Sequence, residues 1–135
     1  MRTITYREAI NEALLEEMEH DLNVFLIGED IADPFGGSFK VTQGLSTKFG
    51  TNRVRNAPIS EAAIAGAAVG AAMVGLRPVA EIMYVDFTTC CMDAIVNQAA
   101  KLRYMSGGQI EIPVVFRTQQ GAGRSSAAQH SQSWE

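Results

Sequence analysis

The sequence predicts a three-layer α/β sandwich with a mostly parallel sheet, and two observations predict it. Four short apolar runs alternate with segments of helical periodicity along the 135 residues. That order builds parallel sheets through helical crossovers. The last run, Pro113 to Phe116, is apolar without alternation, as in strands covered on both faces. The length suits one domain over residues 1–135. Hydrophobic residues make up 47 % of the chain and charged ones 19 %, enough apolar side chain for a packed core.

Each element has its own signal. Thr5 and Glu8 form a Thr-x-x-Glu capping box. Ile10, Ala13, Leu14 and Met18 then recur at helical spacing, with Glu12, Glu16, Glu17 and Glu19 on the wet side. Val24 to Ile27 reads as a buried strand, ended by Gly28-Glu29-Asp30. Pro34, Gly36 and Gly37 mark a loop. A short helix is expected over Val41 to Lys48, with Gly50 as its C-cap. Arg53 to Asn56 reads as a second strand, stopped by Pro58. Ser60 is placed to cap a helix from Glu61 to Val74, which Gly75 closes. That helix has almost no polar face and is expected to be buried on most sides. Its Gly66 and Gly70, four apart, would let another backbone approach closely. Pro78 to Met83 reads as a third strand. A longer helix is expected over Thr88 to Met105, with Ile95, Ala99, Leu102 and Met105 on one stripe, ended by Gly107 and Gly108. After the fourth strand, Thr118 to Glu135 reads as a loop.

Several function classes are disfavoured. The net charge is −4 and no Lys/Arg cluster is present, so nucleic acid is not an expected partner. The longest apolar or Gly run, Ala62 to Leu76, is fifteen residues, short of the about 20 that span a membrane. No signal peptide opens the chain, and Cys90 and Cys91 are adjacent, which suits free thiols in a reducing cytoplasm. Gly121-Ala122-Gly123 lacks the third glycine and the following acid of a dinucleotide fingerprint. No phosphate-binding Gly-Lys loop, nucleophile elbow or metal-ligand spacing is present.

The remaining candidates follow from topology, because parallel sheets bind ligands beyond the carboxyl ends of their strands. Glu29 follows the first strand and Glu61 the second. Met83 ends the third, followed by Tyr84, Asp86 and Phe87. Gln129 and His130 lie beyond the fourth. Glu61 opens an apolar helix. The helix dipole alone favours an acid there, but poor solvation would raise its pKa and suit it to proton sharing. Glu81 lies within an apolar strand, so it either pairs with an Arg or faces an interface. His20 reads as a surface residue at a helix end.

Several motifs together carry a resemblance. They are Pro58-Ile59-Ser60-Glu61, Ala65-Gly66-x-Ala68-Val69-Gly70-Ala71-Ala72, Gly75-Leu76-Arg77-Pro78, Asn97-Gln98-Ala99-Ala100-Lys101, Tyr104-Met105-Ser106-Gly107-Gly108 and Ala128-Gln129-His130-Ser131-Gln132. In this order and spacing the chain, from Thr3 to Ser133, resembles the N-terminal domain of the β subunits of pyruvate, branched-chain 2-oxo acid and acetoin dehydrogenases, the E1 components of their complexes. The resemblance implies a transketolase-like pyrimidine domain that holds the aminopyrimidine of thiamine diphosphate. Glu61 matches the acid that hydrogen-bonds ring nitrogen N1′ and so promotes proton loss from thiazolium C2. Phe87 matches the ring that stacks on the pyrimidine, and Met83 another pocket residue. His130 matches a histidine near the substrate and the incoming lipoyl group. Glu29 matches an acid near a twofold axis that helps link two sites.

The resemblance also implies partners. The Gly-Asp-Gly motif for metal and diphosphate is absent, and in this family it belongs to the E1 α subunit. A β–β dimer within a heterotetramer, the lipoyl domain of E2, and a 2-oxo acid or acetoin as substrate are implied likewise. Family β subunits continue well past the position of His130 into a second domain, so the chain is expected to be a fragment with little activity alone. Two other readings stand beside this one: the pyrimidine domain of a transketolase-like or deoxyxylulose-phosphate-synthase-like enzyme, and a non-catalytic assembly module.

Overall fold

A computed structural model of the chain describes residues 2–134. Helix α1 (Tyr6–His20) starts at the expected capping box. The Thr5 hydroxyl accepts from the Glu8 N–H, and the Glu8 carboxylate accepts from the Thr5 N–H at 2.7 Å. At its far end His20 is exposed, with Nδ1 3.2 Å from the Glu16 carbonyl. Strand β1 (Val24–Glu29) follows, then a long loop, helix α2 (Leu45–Phe49), strand β2 (Val54–Ala57), helix α3 (Glu61–Met73) and strand β3 (Arg77–Ile82). The chain closes with α4 (Leu102–Met105), β4 (Val115–Thr118) and a 3-10 turn over Ala128–His130.

The four strands form one parallel sheet in the order β2-β1-β3-β4. Strand alternation sends β1 and β3 side chains into two separate cores. On one face Val24, Leu26 and Val79 pack with Met18, Leu14 and Leu15 of α1 and with Leu45 and Phe49. On the other, Ile27, Ala80, Ile82 and Phe116 pack with Ile64, Ala65 and Ala68 of α3 and with Cys91. The architecture is thus an α/β fold with helices on both sides of a parallel sheet. Neighbouring strands approach closely at Gly28, where a Cβ would lie 2.9 Å from Glu81 Cβ. Any side chain there would push β1 and β3 apart.

The loop between β1 and α2 is tied down by polar bonds. The Ala32 N–H donates to Asn56 Oδ1, and the Thr42 hydroxyl donates to the Ile31 carbonyl, each at 2.7 Å. Asp33 accepts from the Gly44 and Thr47 N–H groups and from the Ser46 and Thr47 hydroxyls. Burial pushes the Asp33 carboxyl up, but these four donors outweigh it and hold the group well below the usual carboxylate range.

Several expectations are corrected. Residues 85–105 do not form one helix. A 3-10 helix runs over Val85–Cys91, a π-helical turn over Ala94–Ala99, and only Leu102–Met105 is a further α-helix. The Thr88 and Thr89 hydroxyls donate back to the carbonyls of Val85 and Asp86, three residues earlier, at 2.6 and 2.8 Å. Such bonds compete with the regular helical ladder. Second, the expected stripe ends early, since Met105 is exposed. Third, α3 is buried along one side only. Ile64, Ala65, Ala68, Val69 and Ala72 face inward, while Ala62, Ala63, Gly66, Ala67 and Gly70 are exposed. The Ser60 side chain makes no cap bond. Fourth, β4 is covered on one face only. Val115 is 55 % exposed and lines a groove of about 550 Å³ with Ala9, Ile10 and Ala13 of α1, which does not reach over β4.

Candidate active site

The sheet order reverses between β1 and β3: from β1 the chain moves out to β2, from β3 out to β4. Ligands in parallel sheets bind at the carboxyl side of such a switch point. Here it is flanked by Glu29, the last residue of β1, and by Met83 and Tyr84, which follow β3. A 3-10 helix begins immediately after and turns its residues back across the edge.

Two groups of side chains gather there. The first is acidic. Glu29 is partly buried, with Oε1 enclosed and without a hydrogen-bond partner among the described residues. Burial raises its pKa, and the negative charges of Glu61, Asp30 and Glu81 raise it further. Glu61 opens α3 beside the apolar Ile64–Ala65 face. It also contributes, after burial, to holding the Cys91 thiol up. The Cys91 Sγ contacts the Thr88 carbonyl at 3.5 Å. Glu81 is buried and ion-paired with Arg117, its register partner on β4. Of the two outcomes open for Glu81, pairing with an Arg is the one realised within the chain.

The second group is aromatic. His130 stands edge-on to Tyr84, with centroids 4.9 Å apart, and edge-on to Phe87 at 5.2 Å. Tyr84 in turn meets Phe39 at 5.6 Å, and the Arg124 guanidinium lies 4.1 Å from the Phe39 ring centre. The turn Val85–Cys91 joins the two groups, because Phe87 touches His130 and Cys91 lies near Glu61. Met83 and Phe87 are half-buried at this edge. Gln129 is exposed and makes no ring contact with the others.

The sequence-predicted residues Glu29, Glu61, Met83, Phe87 and His130 therefore lie at the carboxyl edge of the sheet. Residues that the sequence reading passed over are Phe39 and Arg124, both in loops. A loop residue carries no periodicity, so only the fold reveals its contacts. Asp86 is buried with neither carboxylate oxygen hydrogen-bonded among the described residues; its burial had no signature in the sequence. Chemically, the arrangement offers two carboxyl groups within electrostatic reach of one another, with Glu29 poorly solvated. It also offers flat apolar ring surface for a planar heteroaromatic group, and an imidazole beside it.

The fold is a parallel α/β domain with this cluster at its switch point, and comparison with known proteins gives its family. Residues 2–135 match the family model described as transketolase, pyrimidine binding domain, and the chain belongs to that family. It is similar to the pyruvate dehydrogenase E1 component subunit beta of Rickettsia bellii, 53 % identical over 131 residues, covering 97 % of this chain and 40 % of that protein. It is likewise similar to the acetoin:2,6-dichlorophenolindophenol oxidoreductase subunit beta of Bacillus subtilis, 49 % identical, covering 98 % and 42 %. Its likeness to the mitochondrial pyruvate dehydrogenase E1 component subunit beta of Homo sapiens is 50 % identity, covering 96 % and 36 %. The chain thus spans about two fifths of the length of these relatives. Among the described residues no helix is long and apolar enough to cross a membrane.

Proposed function

We propose that this chain is the pyrimidine-binding part of the β subunit of a 2-oxo acid or acetoin dehydrogenase E1, acting in the cytoplasm, and that Glu61 is its proton-sharing acid. One observation carries the reading: Glu61, at the start of an apolar helix, is electrostatically coupled to Glu29, whose carboxyl is held up. A cluster of aromatic side chains stands beside this pair. The residues present fit the aminopyrimidine of thiamine diphosphate. Phe87 supplies ring surface, Met83 apolar contact, and Glu61 a carboxyl for the ring nitrogen N1′. When bound, the cofactor would supply an acidic thiazolium carbon as nucleophile and an electron sink.

This chain's residues act on protonation and access. Glu61 hydrogen-bonds N1′ and shares its proton, which biases the ring toward the tautomer able to accept one. Burial and then the Glu61 charge oppose ionisation of Glu29 beside it. His130, held between Tyr84 and Phe87, faces substrate and the lipoyl group of an E2 partner. The metal and diphosphate are assigned to an α subunit, within a heterotetramer that also pairs two β subunits. A 2-oxo acid or acetoin is the substrate.

Glu61→Gln tests the reading in the complete β subunit reconstituted with its α partner. Gln keeps the shape and the helix start but cannot exchange the proton. Hydrogen–deuterium exchange at thiazolium C2 should slow by at least the ~10²–10⁴ that positioned acid–base groups contribute. Exchange at the wild-type rate would reduce Glu61 to a helix-start acid.

A further inference from the structure

We propose that Arg124 positions the carboxylate of an anionic 2-oxo acid substrate at the mouth of the site. The inference rests on the function proposed above and adds a specificity-determining residue to it.

The argument begins with charge. The edge that receives the substrate is acidic: Glu61, Asp30 and Glu81 all lie close enough to Glu29 to act on its charge. An anion brought to that edge is repelled unless a cation meets it. Three cations lie around the edge and its loops, and two are engaged. Arg117 is ion-paired with buried Glu81. Lys40 donates to the Phe35 carbonyl at 2.6 Å and sits over the Phe35 ring. Arg124 is exposed and has no carboxylate within ion-pair distance among the described residues.

The geometry adds position. Arg124 lies over Phe39, at one end of the ring series Phe39–Tyr84–His130–Phe87 whose other end lies at the candidate pyrimidine site. A guanidinium stacked on a ring loses little of its hydrogen-bonding capacity, since its N–H groups point outward in its own plane. Stacking also removes part of the side-chain freedom that an anion would otherwise have to freeze. A planar two-oxygen carboxylate matches that fork in bidentate fashion. The result is a pre-placed anion receptor a few side chains from His130, at an edge otherwise hostile to anions.

The test uses the complete β subunit with its α partner, pyruvate as probe and 2,6-dichlorophenolindophenol as electron acceptor, so that no lipoyl domain is needed. Arg124→Gln should raise the KM for pyruvate by about tenfold or more, the effect of losing a hydrogen bond to a charged group, with kcat changed far less. Arg124→Lys should fall between, and Phe39→Leu should raise KM by removing the platform. Wild-type KM should rise with ionic strength, and that dependence should weaken in Arg124→Gln. An unchanged KM in Arg124→Gln overturns the proposal. So does a wild-type KM in this dye assay together with a defect when a lipoyl domain replaces the dye as acceptor, which would assign Arg124 to a protein contact instead. A wild-type complex that turns over acetoin but no 2-oxo acid overturns the proposal while leaving the role of Glu61 standing; failure of C2 exchange to depend on Glu61 strikes the function reading and not this one.

Discussion

At the scale of single residues, the two site carboxylates differ in what surrounds them. Glu61 begins a helix, where peptide dipoles favour negative charge. Glu29 ends a strand, with an enclosed oxygen and no donor to it among the described residues. Burial and then the Glu61 charge raise the Glu29 pKa above its ordinary 4.5. The folded chain therefore binds this proton more tightly than the unfolded chain. The sign follows from proton linkage: Glu29 contributes stability below about pH 4.5 that is lost as pH rises through the folded-state pKa. Glu29→Gln removes that loss. Its melting temperature at pH 7 should exceed wild type, and the gain should shrink toward pH 4. Equal gains at both pH values, read by circular dichroism, would show that Glu29 ionisation is not opposed by the fold. The trade is instructive: the proton-sharing chemistry proposed for this edge costs stability at the pH where it operates.

At the scale of elements, β3 and β4 are joined by their ladder and by the buried Glu81–Arg117 pair. Glu81 is 3 % exposed, so its charge depends on Arg117 for compensation. Removing one partner should be far worse than removing both. Glu81→Leu should destabilise the fold by about 3–5 kcal/mol, and Arg117→Leu added to it should recover most of that loss. Urea denaturation of the two single variants and the double variant closes the cycle. Additive losses would mean that the two charges do not stabilise one another. This pair also shows where sequence reading stops. The need of Glu81 for a partner was legible from its apolar strand, but the partner was not, because strand register is a tertiary fact. The same holds for the site. Glu29, Glu61 and Met83 could be placed at strand ends from pattern alone. Phe39 and Arg124 could not, since their loops have no period; bonds such as those to Asp33 tie down the loop that carries Phe39. The helical period over residues 88–105 misled for a local reason. Two threonine hydroxyls compete for carbonyls there, and propensity patterns do not record that competition.

At the scale of the whole molecule, the exposed side of α3 needs an explanation. One side packs on the sheet; the other shows Ala62, Ala63, Gly66, Ala67 and Gly70 to solvent, with Val74 79 % exposed at its end. Glycine inside a helix costs about 1 kcal/mol relative to alanine, and among the described residues nothing packs against Gly66 or Gly70 to compensate. A Cβ at Gly66 or Gly70 would meet no atom within 4 Å. A second helix approaching this flat stripe would provide the compensation, through close backbone contact and burial of apolar area. We therefore expect the chain to self-associate, as the β–β pairing proposed above requires. Gly70→Leu separates this cause from folding. In the single chain the new side chain points into open space, and losing an interior glycine should raise helix stability. Against a partner helix the same side chain would hold the backbones apart. The expected result is a dimer or larger species for the unmodified chain in sedimentation velocity at micromolar concentration, and a monomer of equal or higher melting temperature for Gly70→Leu. A clean monomer for the unmodified chain would remove the stripe from the assembly and leave its glycines without a physical account.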